Sequence, residues 1–225
     1  MLSVVVPVFN EERTIRHVIE EVFATPHEKE VIIVDDGSTD ATPGILEDLH
    51  AQHAVTILRH PRRQGKGAAL RSGFAVARGD IVMTQDADGE YHPHDYDELI
   101  RPILKGWADA VYGSRFSGPH RVFSCSHRVG NWLVNALANL LYDTTLTDLE
   151  TGLKAIRREV LTHCSLRSTD FRIEVELTAK LFRRGCRVYE VPISYSGRSY
   201  AEGKKLTWQD GLLALWAVLE FRLRN

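Results

Sequence analysis

A chain of 225 residues with 44% apolar content can bury a substantial core, in one large domain or two small ones, and a packed globular protein is expected. Lys and Arg number 28 against 30 Asp and Glu, so net charge gives a nucleic-acid partner no support and any anionic ligand must be gripped locally. The cysteines Cys125, Cys164 and Cys186 are odd in number and far apart, which argues against a disulfide framework or a zinc site and for packing residues in a reducing compartment.

In chain order, Leu2 to Val8 reads as a strand; its apolar stretch is too short for a signal peptide and runs at once into Asn10, Glu11 and Glu12. Val31 to Val34, Val55 to Leu58 and Ile81 to Thr84 are further β-branched runs of the buried kind, separated by helix patterns over Thr14 to Phe23, Thr42 to His50 and Ala68 to Ala77. This alternation predicts right-handed βαβ units, a parallel sheet covered on both faces, and ligand sites at the carboxyl ends of its strands. The second half is less regular: a strand over Ala108 to Gly113, a helix over Val129 to Tyr142, a helix over Glu174 to Arg184, and an edge strand Arg187 to Val191 that Pro192 ends. The tail from Leu206 to Leu223 sets Trp208, Leu212, Leu215, Trp216 and Leu219 at helical spacing. No window approaches the roughly twenty apolar residues of a spanning helix, so membrane contact is expected only at the surface.

Three loops fall at predicted strand ends. Asp35 and Asp36 enter Gly37-Ser38-Thr39-Asp40, where a turn and helix cap need only one of these polar groups, leaving carboxylates to bind a base or ribose. In Gln85-Asp86-Ala87-Asp88-Gly89-Glu90, carboxylates at alternate positions of an extended segment can converge on one hard cation, and Mg²⁺ or Mn²⁺ so placed can bridge a diphosphate. Gly65-Lys66-Gly67 before a helix lacks the spacing of a P-loop, yet its amides and Lys66 can serve a phosphate. Arg115, Arg128, Arg198, Lys204 and Lys205 supply local positive charge for a second phosphate near the apolar tail. His92 and His94, flanking Pro93, read as capping or surface residues rather than metal ligands.

Taken together, Val4-Val5-Val6-Pro7-Val8-Phe9-Asn10-Glu11, Val34-Asp35-Asp36-Gly37-Ser38-Thr39-Asp40, Gly65-Lys66-Gly67-Ala68, Asp86-Ala87-Asp88 and Gly113-Ser114-Arg115 resemble family 2 glycosyltransferases, and more narrowly the dolichyl or polyprenyl phosphate mannose and glucose synthases. The resemblance covers nearly the whole chain. It implies an α/β, single-domain GT-A fold over residues 1–225, with a mostly parallel Rossmann-like sheet flanked by helices. Residues up to about 90 would bind a nucleotide sugar, and the rest, with an amphipathic C-terminal helix, the acceptor. It further implies inverting transfer of mannose or glucose, from GDP-mannose or UDP-glucose, to a polyprenyl or dolichyl phosphate by a protein lying peripherally on the cytoplasmic face of a membrane. Carried over position by position, Pro7, Val8, Asn10, Glu11, Asp35, Lys66, Gly67, Asp86 and Ala87 would meet the donor. Asp88 would hold the metal with Glu90, which stands where many relatives carry Gln, and Asp86 would lie near the sugar. Arg115, Arg128, Arg198 and Lys204 would meet the acceptor's phosphate. With Asp86 and Asp88, Asp148 is the further catalytic candidate, Glu150 being the alternative if a general base exists, because an anionic phosphate needs little help to attack. The rival readings are a family 2 enzyme with a saccharide or other non-lipid acceptor and a module that binds donor without turnover.

Overall fold

The computed structural model of the protein describes residues 1–122, 125–198 and 208–223. Strands β1 (Leu2–Val8), β2 (Lys29–Asp35), β3 (Val55–Arg59) and β4 (Ile81–Thr84) alternate with helices α1 (Ile15–Ala24), α2 (Thr42–Gln52) and α3 (Lys66–Val76), as the hydrophobic runs predict. After the 3-10 turn Pro93–Asp95 come α4 (Tyr96–Leu104), β5 (Ala110–Ser114), α5 (Cys125–Tyr142), β6 (Lys154–Arg157), α6 (Arg158–Thr162), α7 (Arg172–Arg183), β7 (Val188–Pro192) and α8 (Trp208–Leu223). The described residues build a seven-stranded sheet in the order β3-β2-β1-β4-β6-β5-β7, so both halves of the chain contribute to one sheet.

β1 pairs in parallel with β2 and β4, which places the reversal of strand order at β1, where open α/β sheets bind their ligands. β6 runs antiparallel to both β4 and β5, the one element in the sheet that the sequence pattern did not reveal. β7 forms the edge, as Pro192 predicts, and pairs in parallel with β5.

The β-branched residues of β1 suit a strand buried on both faces. Val4, Val6 and Val8 pack with Ile15, Val18, Ile19 and Val22 of α1 on one side. Val5 packs on the other with Ala69 and Leu70 of α3 and Ile173, Leu177 and Leu181 of α7. A third cluster joins Val134 and Ala138 of α5, Val175 of α7, and Ala214, Ala217 and Val218 of α8. Cys164 and Cys186 pack as expected in the second cluster, whereas Cys125, in the first turn of α5, is exposed.

Gly65 is the residue on which the entry to α3 depends. Its φ of 104° and ψ of 160° lie in a region open essentially to glycine, and a Cβ there would meet the carbonyl oxygen of Thr169. This close approach sets Lys66 at the first position of α3, aimed over the carboxyl end of the sheet.

Candidate active site

The carboxyl ends of β1, β2 and β4 open into a cleft of about 350 Å³. Pro7, Val8, Phe9 and Glu11 border it from the end of β1, and Asp36 does so from just beyond β2. Asp36 organises the loop opposite: its carboxylate accepts from the amides of Gln64 at 2.9 Å and Gly65 at 2.7 Å, and meets His60 Nδ1 at 2.7 Å. Arg63 from that loop sits 4.5 Å from the centre of the Phe9 ring, a cation-π contact at the cleft wall.

Asp35 does not border the cleft; it is buried and accepts from the Ser38 amide at 2.9 Å, so it secures the turn. Asn10 likewise lies outside the wall, at a positive φ of 51°, with its side-chain oxygen accepting from the Thr39 amide at 2.8 Å. Gly67 is buried against the backbone of Ser168 and Asp170 and lets α3 approach that segment.

At the centre, Lys66 Nζ lies 2.8 Å from Asp86 Oδ1 and 3.2 Å from Glu174 Oε1. Burial alone would discharge this ammonium, but the two carboxylates outweigh it and hold Lys66 charged above its ordinary range. Glu174 is anchored from below by fully buried Lys154, which also donates to the Thr151 carbonyl. Burial would raise Glu174, yet Lys154 and Lys66 hold its carboxyl below the usual range. Gly152 backs onto Asp86, and a side chain at that position would collide with the carboxylate.

Asp86, Asp88 and Glu90 do not close on one point as their alternate spacing predicts, and no three metal-ligating side chains gather into a cage among the described residues. Asp86 turns to Lys66, while Asp88 and Glu90 turn to Arg198, for two cations have captured the three carboxylates. Arg198 Nη1 lies 3.0 Å from Glu11 Oε2, and its Nη2 lies 3.3 Å from Asp88 Oδ2. Glu90 accepts from the Arg198 amide at 2.8 Å and from the Tyr195 hydroxyl, so it clamps the Tyr195–Arg198 segment. Asp88 remains at the cleft wall, where burial first, then Asp86 and Glu90, push its carboxyl up to about 7 against the pull of Arg198.

Beyond β5, Arg115 is buried and bidentate to Asp148, with Nε to Oδ2 and Nη2 to Oδ1 both at 2.7 Å. Asp148, expected among the catalytic residues, is fully buried and does not border the cleft; both its oxygens are occupied in orienting the Arg115 guanidinium. Arg115 itself borders the cleft, as does Glu150, whose carboxyl is pushed up to about 7, chiefly by burial. Arg128 is exposed on α5, with its guanidinium 5.7 Å from the Phe116 ring centre and away from the cleft wall. Lys204 lies outside the described residues. His92 and His94 stack on one another and bond Ser196 and Ser194, in keeping with their surface reading, though neither caps the turn between them. Phe9, Arg63, Tyr91, Asn131, Glu174 and Tyr195 border the cleft without having been singled out as site residues, and Asp36 stands where the donor contact was assigned to its neighbour Asp35. Phe9 and Asp36 did lie within the sequence motifs that carry the resemblance, whereas Asn131 and Tyr195 carried no signal.

Comparisons with known proteins place the chain in a family. Residues 3–164 match the family model described as glycosyl transferase family 2. The polyprenol monophosphomannose synthase of Mycolicibacterium smegmatis is 27% identical over 99% of this chain and 87% of its own. The UDP-N-acetylglucosamine–dolichyl-phosphate N-acetylglucosaminyltransferase of Methanococcus voltae is 28% identical over 90% of this chain and 89% of its own. Among solved structures, glucosyl-3-phosphoglycerate synthase from Mycobacterium tuberculosis, in complex with Mn²⁺, UDP and glucosyl-3-phosphoglycerate, superposes with a TM-score of 0.76 at 25% identity, covering 99% of this chain and 79% of that one. With its mostly parallel sheet, its GT-A structural relatives and a family match over most of its length, the chain belongs to glycosyl transferase family 2 and is a glycosyltransferase of GT-A fold.

Proposed function

We propose that this enzyme transfers a hexose, mannose or glucose, from a nucleotide sugar to a polyprenyl or dolichyl phosphate, with inversion at the anomeric carbon. The observation that carries the reading is a single cleft walled by an acidic and aromatic end, a central Lys66–Asp86 pair and a buried Arg115. The relatives named for polyprenol and dolichyl phosphate support the acceptor. In this assignment Phe9, Asp36 and Arg63 flank the base, Lys66 and Asp86 meet the sugar and its phosphate, and Arg115 receives the acceptor's phosphate.

Mg²⁺ or Mn²⁺ fits the residues present, because such ions are ordinarily held by one or two carboxylates with phosphate oxygens and waters completing the shell. Asp88, at the cleft wall, is the carboxylate assigned to it, with Glu90 beside it and shared with Arg198. When bound, the cation supplies positive charge to the departing diphosphate. The chain's own part is positional: Lys66 and Asp86 orient the donor, and Arg115, fixed by Asp148, presents a phosphate oxygen in line with the anomeric carbon. That oxygen forms the new bond as the bond to the nucleoside diphosphate breaks, so a dianionic acceptor becomes a monoanionic diester and charge balances without a proton transfer.

Peripheral contact with the cytoplasmic face of a membrane belongs to the same reading. No helix among the described residues is long and apolar enough to cross a bilayer. Yet α5 exposes Val129, Trp132, Leu133 and Leu140, and α8, packed beside it, exposes Leu212, Leu213, Trp216 and Leu223; Trp132 is 65% and Trp216 62% exposed. Two amphipathic tryptophans among exposed aliphatic side chains suit the headgroup region. The Trp132→Ala/Trp216→Ala double variant is expected to float less with anionic vesicles while keeping its turnover of a short, water-soluble polyprenyl phosphate. Equal flotation of variant and wild type would remove the membrane contact from the proposal.

A soluble acceptor is the second reading, favoured by the structural relative crystallised with phosphoglyceric acid. A panel of acceptors separates the two: short polyprenyl phosphate, 3-phosphoglycerate and an unphosphorylated saccharide, each offered with UDP-glucose and GDP-mannose. Product with the polyprenyl phosphate alone is expected; product with either soluble acceptor alone would overturn the lipid assignment.

A further inference from the structure

Between α5 and β6, the segment 147–152 is pinned at almost every step. The amides of Thr147 and Asp148 donate to Glu190 Oε1 at 3.0 and 2.9 Å. The Leu149 amide donates to Asn135 Oδ1 at 2.8 Å, and the Gly152 amide to the Tyr91 hydroxyl oxygen at 2.8 Å. This scaffold carries Glu150 to the cleft wall beside Arg115 and Asn131. No described residue forms a hydrogen bond or ion pair with the Glu150 carboxyl. A rigid loop that holds one largely desolvated carboxyl without a partner implies that a ligand completes it. Arg115 is complementary: Nε and Nη2 are taken by Asp148 and Asn131, and Nη1 has no partner among the described residues.

We propose that Glu150 is a ligand of the acceptor's phosphate, its carboxylic acid donating a hydrogen bond to one phosphate oxygen while Arg115 Nη1 donates to another. The inference rests on the phosphate-acceptor reading above and names a second contact in that site.

The charged groups that face Glu150 decide the sign of its pH dependence. Burial favours the neutral acid most; Asp148 on the same segment and Glu174 from α7 add to it, while Arg115 from beyond β5 and Lys154 from β6 oppose it, leaving the carboxyl at about 7. An arriving phosphate dianion is a further like charge and strengthens the neutral form. Below this pH the acid donates to the phosphate; above it, a carboxylate faces a dianion. Acceptor affinity therefore falls with rising pH, by up to about tenfold per unit once Glu150 has ionised in the free protein, and levels off at the higher pH where it ionises in the complex as well. Glutamine at 150 keeps an N–H donor at every pH and has nothing to titrate.

The test is the acceptor KM from about pH 6 to about pH 9, with short polyprenyl phosphate, for wild type, Glu150→Gln and Glu150→Asp, using the donor KM of each as an internal control. Wild type is expected to show an acceptor KM that climbs towards alkaline pH, Glu150→Asp to retain the climb, and Glu150→Gln to give a flat profile, with the donor KM profile unchanged. A purely structural role would shift kcat and both KM values by one factor at every pH. A Glu150→Gln profile that climbs like wild type, or a wild-type profile that is already flat, overturns the proposal. Wild-type transfer to saccharide but not to polyprenyl phosphate would instead overturn the acceptor reading on which it rests.

Discussion

Asp148→Asn is expected to destabilise the protein by about 3–5 kcal/mol, because it leaves the Arg115 guanidinium buried without its counter-charge. Arg115 is held there by two 2.7 Å hydrogen bonds to a carboxylate that is itself 0% exposed, so water cannot replace what the substitution removes. For a chain of this size the loss corresponds to a fall in Tm of roughly 6–20 °C, measurable by thermal unfolding. Activity should fall as well, since an unpinned guanidinium no longer waits in the geometry that a phosphate requires. Replacing both partners, as Arg115→Met with Asp148→Leu, separates these effects: burying two apolar groups in place of an ion pair is often neutral for stability. The double variant should regain much of the lost Tm and none of the transfer. Recovery of activity with Tm would show that the pair serves the fold alone.

Asp88→Asn is expected to do the reverse, leaving Tm close to that of wild type while lowering kcat by about 10²–10³. Arg198 keeps Glu11 and Glu90 as partners when Asp88 is neutralised, so the fold loses only one contact among several. Transfer loses the carboxylate assigned to the cation at the leaving diphosphate. The check is a titration of Mn²⁺ against rate for both proteins: the variant should need far more Mn²⁺ and never reach the wild-type maximum. Full activity of Asp88→Asn at limiting Mn²⁺ would place the cation elsewhere.

How far the sequence foretold this site depends on which contacts are local. β1, β2 and β4 were legible because a strand buried on both faces needs a near-continuous apolar run rich in β-branched residues, and Val4 to Val8, Val31 to Val34 and Ile81 to Thr84 supply it. β6 was hidden because its four residues begin with Lys154 and end with Arg157; only the buried pairing of Lys154 with Glu174, twenty residues on, makes a lysine tolerable there. Between Asp35 and Asp36 the sequence could not choose, since adjacent residues at a strand end point to opposite sides and the turn decides which meets the cleft. The same holds for Asp148 and Glu150, where Glu190 and Asn135, both distant in sequence, set the course of the segment. The contact of Glu90 with Arg198 was hidden because the two lie 108 positions apart. Long-range ion pairing, rather than local spacing, divided the acidic cluster between two cations.

The central claim is that the acceptor's own phosphate oxygen displaces the nucleoside diphosphate with inversion, and the product's NMR spectra report both features. Wild-type protein is incubated with Mn²⁺, an α-linked nucleotide sugar and a short polyprenyl phosphate, and the glycolipid is examined by ³¹P and ¹H spectroscopy. A phosphodiester signal with a β-anomeric proton is the predicted result. A surviving phosphomonoester, with the sugar attached elsewhere, or an α-anomeric product would contradict it.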